Sequence, residues 1–177
     1  PILLKSLPAF EESKIHNGGV MVVDKNNVVY AVIGDQKGVN GRGLLHNQFG
    51  PPDDTGVIIP IEPSGSYFTI GIRNSFGLAI DPLTGNLWAT ENGLSKFDEI
   101  NLFHPNSNSG WNAHTGPISE SRITVVDVPD FFGPLKSQIQ FFLTNLYSFF
   151  YLGEIYNYQD PIFSWEQTNS PTALGFA

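Results

Sequence analysis

The first candidates for chemistry are a histidine and an aspartate that flank one predicted β-hairpin. His16 precedes the segment GGVMVVDKNNVVYAVIGD, and Asp35 is the last residue of that segment. Because the two ends of a hairpin return to one side, these side chains can lie close together. A carboxylate that accepts from one imidazole nitrogen fixes the tautomer and raises the basicity of the other nitrogen, as a general base requires. The alternative, which the spacing alone favours, is a loop histidine and a turn aspartate with no joint role.

An Arg-Asn pair occupies the matching place before a second hairpin. Arg73 and Asn74 stand just before FGLAIDPLTGNLWATENG, as His16 stands before the first hairpin. Equivalent positions of a repeat should project to the same end of the fold, so we expect the three residues at one end. A guanidinium offers a rigid fork of donors to a carboxylate or to a developing oxyanion. A surface arginine that caps a loop is the structural alternative.

Acidic residues after the second hairpin are candidate calcium ligands. Glu91, Asp98 and Glu99, with the carbonyls of the Asn92-Gly93-Leu94 turn, offer the hard oxygen atoms that calcium prefers. The segment does not follow the EF-hand pattern, and its composition favours a solvated acidic loop. The calcium site and the solvated loop both stay open at this point.

The elements that must position these residues are two similar hairpins near residues 18–35 and 76–93. Each has a small residue, a short apolar strand, an aspartate (Asp24 or Asp81), a polar turn and a second strand with one aromatic residue. Repeated short strands with long connecting loops are typical of β-propeller blades. The 18 glycines, the 13 prolines and the scarcity of helix-favouring stretches also predict an all-β protein.

Both ends of the chain look incomplete as parts of such a repeat. The last residues, SPTALGFA, are similar to the start of a third hairpin near residue 172. A propeller closes on itself, and two or three blades would leave an open sheet edge. We therefore expect residues 1–177 to form one partial propeller domain of a longer protein, truncated at both ends.

Composition excludes several classes of function. The net charge of −8, with only nine Lys and Arg, argues against nucleic-acid binding, which needs a basic face. The absence of cysteine excludes disulfides and thiolate metal sites. The four histidines lack the short spacing of a zinc site, and no G-x-S-x-G nucleophile elbow occurs. The uncharged segment 137–153 is better explained by a buried strand pair or short helix than by a membrane span, which is not expected.

Taken together, several segments resemble the soluble quinoprotein glucose/sorbosone dehydrogenases, and most closely the archaeal-type members. The segments are HNGGVMVVDKNNVVYAVIGDQ, GIRNSFGLAIDPLTGNLWATENG, DEINLF with NSGW, and DPIFSWEQTNSPTALGF. This resemblance implies a six-bladed β-propeller of four-stranded antiparallel blades, of which the chain would form about half. It also implies two cofactors, pyrroloquinoline quinone (PQQ) and Ca²⁺.

The resemblance also implies roles for individual residues of the acid–base site. His16 matches the general base that takes the proton from the C1 hydroxyl of the sugar, and Asp35 matches the aspartate that orients it. Arg73 and Asn74 match the pair that contacts the quinone oxygens. Trp165 is a candidate aromatic residue of the cofactor pocket by its position.

A calcium ion that polarises the cofactor would bind the carbonyls of Gly93 and Leu94. A second calcium ion in some members would use Asp98. The family usually has proline where Leu94 stands, a change that keeps the carbonyl ligand. Pro60 would interrupt the ladder of an expected strand, and residues 121–159 match nothing familiar in the family.

The activity implied is oxidation of an aldose at C1 to the lactone, with electrons passed to an unknown acceptor. The implied location is extracellular or periplasmic, and the oligomeric state stays open. Further basic cofactor ligands are expected beyond residue 177, so this chain alone can lack a complete site and be inactive. The alternative function is a propeller that binds a carbohydrate or a protein partner without turnover.

Overall fold

The described part of the chain is built from β-strands and connecting loops. The computed structural model describes residues 6, 15–36, 54–61, 66–111, 115–117 and 157–177. Within these ranges there are ten strands and no helix, as the all-β prediction requires. The strands are β1 (Met21–Val23), β2 (Val29–Ile33), β3 (Val57–Pro60), β4 (Thr69–Ile70), β5 (Gly77–Ile80), β6 (Leu87–Glu91), β7 (Asp98–Phe103), β8 (Ser107–Asn108), β9 (Asn157–Tyr158) and β10 (Phe163–Trp165).

The strands form two sheets. The first has the order β1-β2-β3-β4-β8-β9, antiparallel from β1 to β4 and parallel at the β4–β8 and β8–β9 ladders. The second has the order β10-β7-β6-β5 and is antiparallel throughout. Its size and pairing are those of one four-stranded propeller blade.

The two predicted hairpins close with the same side-chain device. In the β1–β2 turn, Oδ1 of Asp24 accepts the backbone N–H groups of Asn26 and Val28, each at 2.8 Å. In the β5–β6 turn, Oδ1 of Asp81 accepts the N–H of Leu83 at 2.9 Å, and its Oδ2 accepts the Thr84 hydroxyl at 2.5 Å. Aspartate favours such turns because its carboxylate satisfies backbone donors two residues on. The repeat read from the sequence is therefore also a repeat of turn chemistry.

The core lies on both faces of the first sheet. Val32 and Ile58 point to one face and pack with residues of the second sheet, among them Leu78, Leu87 and Phe103. On the other face the core cluster consists of Ala31, Ile33, Val57, Ile59 and Ile70. Period-two alternation explains how β2 and β3 supply both faces. Burial of each large aliphatic side chain contributes about 1.5–3 kcal/mol.

One sequence expectation is corrected by the strand pairing. Pro60 was expected to interrupt a ladder, but it is the last residue of β3, opposite Tyr30, and Val57 to Ile59 pair in register before it. The pairing continues past it, since the N–H of Ile61 donates to the carbonyl of Val29 at 2.8 Å, so proline at position 60 does not interrupt the ladder of β2 and β3.

The C-terminal tail lies along the second sheet. The Thr90 hydroxyl donates to the carbonyl of Pro171 at 3.4 Å, and the rings of Trp88 and Phe176 meet edge to face at 6.0 Å. Residues 166–177 contain no strand. The start of a third hairpin near residue 172 stays a prediction.

Residues 121–156, which include the uncharged segment 137–153, lie outside the described residues. Within the ranges that the structure covers, no helix has the length and hydrophobicity needed to cross a membrane.

Candidate active site

The backbone at the end of β2 brings the two site segments together. Gly34 lies between them, and a Cβ atom at this position would come within 2.4 Å of the His16 carbonyl oxygen and 2.7 Å of the Arg73 carbonyl oxygen. The next residue, Asp35, donates its N–H to the Arg73 carbonyl at 2.9 Å. The end of the first hairpin and the loop before the second therefore meet, as the repeat predicts.

His16 and Asp35 form a close, buried pair. Nδ1 of His16 lies 2.5 Å from Oδ1 of Asp35, and the side chains are 10% and 0% exposed. Because a carboxylate only accepts hydrogen bonds, Nδ1 must carry the proton, and the lone pair of the neutral ring is then on Nε2. The predicted proximity is confirmed, while the role of His16 as a base stays a prediction.

The backbone of His16 is in a conformation that residues other than glycine seldom adopt. Its φ is 56°, in the left-handed region, which costs a non-glycine residue of order 1 kcal/mol or more. Surrounding contacts must hold it there, and such strain is concentrated at functional sites. Six other non-glycine residues of the described chain have a positive φ, so the conformation alone does not mark His16 as functional.

An open cleft of about 460 Å³ lies beside His16. Its lining residues are Ile15, His16, Asn17, Gly18, Asn74 and Phe76. Ile15 and Phe76 are 40% and 45% exposed, so the cleft has apolar walls and two amide side chains near the imidazole. Ligand sites of this volume commonly combine apolar walls with a few polar groups.

Arg73 is fastened at several points. Its Nη1 donates to the carbonyls of Asn92 at 2.7 Å and Gly93 at 3.1 Å, and its backbone N–H donates to Oε1 of Glu91 at 2.6 Å. Burial lowers the pKa of Arg73, and the neighbouring carboxyls of Asp35, Glu91 and Asp98 oppose that shift. The guanidinium remains a cation near neutral pH.

Two polar atoms of the Arg73-Asn74 pair lack partners in the described part of the chain. They are Nε of Arg73 and Oδ1 of Asn74, and both are buried. A buried polar group without a partner is costly, so such atoms point to a ligand or water that would satisfy them. The Nε donor of Arg73 fits a carbonyl or carboxylate oxygen, whereas Oδ1 of Asn74 requires a donor such as a hydroxyl group or water.

Glu91, Asp98 and Glu99 are buried. The expectation that they form a solvated acidic loop is therefore wrong. Glu91 ends β6 and Glu99 lies opposite it in β7; they are 5% and 4% exposed. Asn101 Nδ2 donates to Oε2 of Glu99 at 2.9 Å and more weakly to Oε2 of Glu91 at 3.4 Å. Burial raises the pKa of Glu91 to about 7, and burial with the nearby Glu91 charge raises the pKa of Glu99 to about 8.

Asp98 anchors the turn that carries the predicted calcium carbonyls. It is fully buried, and its Oδ1 accepts the N–H of Gly93 at 2.9 Å. Its Oδ2 accepts the N–H groups of Asn169 and Ser170 at 2.5 and 2.7 Å. These bonds use most of its lone pairs, so the geometry gives Asp98 a positioning role, and direct metal binding stays a prediction.

The turn itself presents oxygen atoms to a positive charge. The Asn92 and Gly93 carbonyls face the Arg73 guanidinium, and Oδ1 of Asn92 is buried without a partner among the described residues. Leu94 follows them and is 59% exposed. Within the same residues, no group of three or more His, Asp or Glu side chains is arranged to hold a metal. Calcium binding here would rest on the carbonyls, which are the hard donors that this ion prefers.

The structure does not bring Trp165 to the His16 cleft. It lies in β10, which forms the edge of the second sheet opposite β5, and pairs with Asp98. Its ring centroid is 5.7 Å from that of Phe163. A role in a cofactor pocket stays a prediction for this residue.

Sequence reasoning missed Trp111. Its indole Nε1 donates to Oδ2 of Asp35 at 2.8 Å, and the residue is only 8% exposed. The available signal was a single large aromatic residue in the Gly- and Asn-rich stretch NSNSGWNAHTG. The indole gives Asp35 a second partner, so both carboxylate oxygens are occupied.

A family model and sequences of known proteins match most of the described region. The family model described as Glucose / Sorbosone dehydrogenase matches residues 2–126. Aldose sugar dehydrogenase YliI of Escherichia coli (strain K12) is 30% identical over 116 residues, 60% of this chain and 31% of that protein. Quinoprotein glucose dehydrogenase B of Acinetobacter calcoaceticus is 30% identical over 140 residues, 62% of this chain and 28% of that protein. The chain thus spans under a third of each of these two relatives.

A solved structure shares the fold. The PQQ-bound form of an aldose sugar dehydrogenase from Streptomyces coelicolor matches with a TM-score of 0.56 and 20% identity, over 91% of this chain and 38% of that one. The likeness confirms the predicted fold, an all-β chain that forms part of a propeller.

Proposed function

Because the chain belongs to the glucose/sorbosone dehydrogenase family, we propose that it carries the acid–base part of the active site of a PQQ- and calcium-dependent sugar dehydrogenase. The reaction is oxidation of an aldose at C1 to the lactone. The observation that carries the proposal is the buried His16–Asp35 pair at 2.5 Å beside an open cleft. An imidazole oriented by a carboxylate beside an open cleft supports His16 as the base that receives a proton from a sugar hydroxyl.

The residues of this chain handle the proton. With Nδ1 protonated against Asp35, His16 accepts the proton of the C1 hydroxyl on Nε2. Asp35 stabilises the imidazolium that forms, since an anion within hydrogen-bond distance favours the charged ring. The exposed apolar side chains of Ile15 and Phe76 line the cleft and offer surfaces against which a sugar ring can pack.

The cofactors would complete the redox half of the reaction. Bound PQQ would accept the hydride, and Ca²⁺ would polarise the quinone carbonyl that receives charge. Arg73 would hold a quinone oxygen through its unpartnered Nε, and Asn74 would do so through the N–H groups of its amide, since its Oδ1 only accepts hydrogen bonds. The carbonyls of Gly93 and Leu94 would hold the calcium ion, on the turn that Asp98 anchors.

Three further assignments belong to this proposal. Asp98 as ligand of a second calcium ion and Trp165 as part of the cofactor pocket come from the family resemblance. An extracellular or periplasmic location is likewise proposed and can be checked by cell fractionation. The electron acceptor is supplied as an artificial dye in the experiment below.

The proposal is tested by loading the full-length protein with PQQ and Ca²⁺. We expect quinone absorbance to remain with the protein after gel filtration, and aldoses to reduce a dye. Loss of the quinone on the column together with no dye reduction would overturn the proposal. Sugar binding without dye reduction would instead support a non-catalytic propeller, the alternative stated above.

A further inference from the structure

The indole of Trp111 lies between Asp35, which pairs with His16, and Arg73. On one side its Nε1 donates to Oδ2 of Asp35 at 2.8 Å, and on the other its ring centroid is 5.4 Å from the guanidinium carbon of Arg73. We propose that Trp111 is a positioning residue that orients Asp35 and Arg73 together, and through Asp35 holds His16 in the tautomer that can act as a base. This inference rests on the proposed function for its link to turnover.

The hydrogen bond from Trp111 to Asp35 explains the orientation of the carboxylate. An indole N–H is a donor only, so it requires an acceptor oxygen at Oδ2 and leaves Oδ1 for His16. Asp35 is fully buried, and the hydrogen bond from Trp111 therefore compensates a charge removed from water. Without that bond the carboxylate would have one unsatisfied oxygen and freedom to rotate away from the imidazole.

The contact of Trp111 with Arg73 explains how one residue can orient both Asp35 and Arg73. A guanidinium within about 6 Å of an indole centroid is attracted to the ring face. The backbone N–H of Trp111 also donates to the carbonyl of Gly71 at 3.1 Å, on the loop that carries Arg73. The contact of these two loops needs glycine at position 71, where φ is 74° and a Cβ atom would come within 2.2 Å of Oδ1 of Asn108.

The test replaces the N–H donor and keeps an aromatic ring. The variant is Trp111→Phe in the full-length protein, and its control is Trp88→Phe. Trp88 is also partly buried, but its Nε1 has no partner among the described residues, so its loss should not affect Asp35. Thermal unfolding of both variants establishes that they fold.

The deciding measurement is the tautomer of His16, read from the ¹⁵N shifts of its ring in histidine-labelled protein. The His16 signals are assigned by their loss in His16→Gln. We expect the Nδ1–H tautomer to lose population in Trp111→Phe and to keep it in Trp88→Phe. In the loaded enzyme kcat should fall by about tenfold to a hundredfold in Trp111→Phe, the scale of one hydrogen bond to a buried charge, with KM changed far less.

An unchanged tautomer in a folded Trp111→Phe protein would overturn the inference. If that variant fails to fold, benzothienylalanine at position 111 keeps the ring shape and lacks only the N–H, and the same two outcomes apply. The tautomer is measured without turnover or cofactor. A protein that oxidises no sugar therefore contradicts the proposed function and still decides the role of Trp111.

Discussion

The backbone N–H of Arg73 donates to Oε1 of Glu91 at 2.6 Å, which ties the loop before β5 to a buried carboxyl at the end of β6. Oε2 of the same carboxyl accepts the Ser109 hydroxyl at 2.7 Å. Glu91 thus joins three segments of the site through one side chain. Its protonation state should affect the stability of the whole arrangement.

The free energy of unfolding should fall as pH rises from about 4.5 to about 8. The pKa values of Glu91 and Glu99 are raised from 4.5 to about 7 and about 8 in the folded protein. The folded state therefore binds more protons than the unfolded state in this window, so the stabilisation present below pH 4.5 is lost as pH rises through the folded pKa values. Urea unfolding at pH 5 and pH 8 measures the difference.

The same experiment has a matched pair of variants. Glu99→Gln removes one of the buried titrating groups and should reduce the difference between pH 5 and pH 8. Glu166→Gln makes the same change at an exposed residue and should leave the difference as it is. Equal pH dependence in Glu99→Gln and in the unchanged protein would contradict the assignment.

Removal of the imidazole should abolish most turnover. His16→Gln deletes the proposed base, and loss of general-base catalysis costs about 10²–10⁴-fold in kcat. His104→Gln, at an exposed histidine, is the control and should keep full activity. A loss smaller than tenfold in His16→Gln would show that His16 is not the base.

Asp35→Asn should leave the fold intact and inactivate the site. The Trp111 N–H would select the amide oxygen, so the amide nitrogen would face His16 and donate to its Nδ1. The ring would then carry its proton on Nε2, the atom that must accept one, and kcat should fall by about 10²–10⁴-fold. Asp81→Asn, in the exposed turn, should retain activity. Near-normal kcat in a folded Asp35→Asn protein would argue against the proposed tautomer.

An added methyl group at Gly34 should separate the two site segments. In Gly34→Ala the Cβ atom would contact the His16 and Arg73 carbonyls at 2.4 and 2.7 Å, and backbone cannot yield as a flexible side chain does. We expect a loss of about 1–3 kcal/mol in unfolding free energy and a loss of PQQ retention. Gly175→Ala is the control because no atom lies within 4 Å of its Cβ position. Equal stability and PQQ retention in both variants would refute this account.

Arg73→Lys should weaken PQQ binding although the charge is kept. A lysine ammonium lacks the planar group that packs on the Trp111 indole, and it has no second nitrogen left free, as Nε of Arg73 is, while Nη1 holds two carbonyls. The expected change is about tenfold in Kd, measured by titration with PQQ in the presence of Ca²⁺. The charge-conserving exchange Lys96→Arg at an exposed residue should have no effect. Unchanged affinity in Arg73→Lys would remove Arg73 from the cofactor site.

The hairpins and the meeting of His16 with Asp35 could be predicted because they depend on local signals. Alternating apolar residues, an aspartate at the turn and a repeated order of residues specify a hairpin from fewer than twenty positions. The ends of such a unit must then be near each other. The confirmed contact between His16 and Asp35 follows from that rule.

The partners that join distant segments could not be predicted in this way. Trp111 meets Asp35 across 76 positions of chain, and no local pattern encodes that contact. Burial of Glu91 and Glu99 was missed because charge suggests solvent, whereas their register in β6 and β7 and the Asn101 amide make a buried pair tolerable.

Each hairpin is divided along its length. Asp24 and Asp81 close the chain at one end, while His16 and Arg73 stand beyond the opposite end of β1 and β5. In a duplicated unit of this kind, the residues that specify the hairpin turn and the residue that carries the reactive group are at opposite ends. One copy can then acquire a titratable imidazole and the other a permanent cation, so that a division of chemical labour arises without a change in how either copy folds.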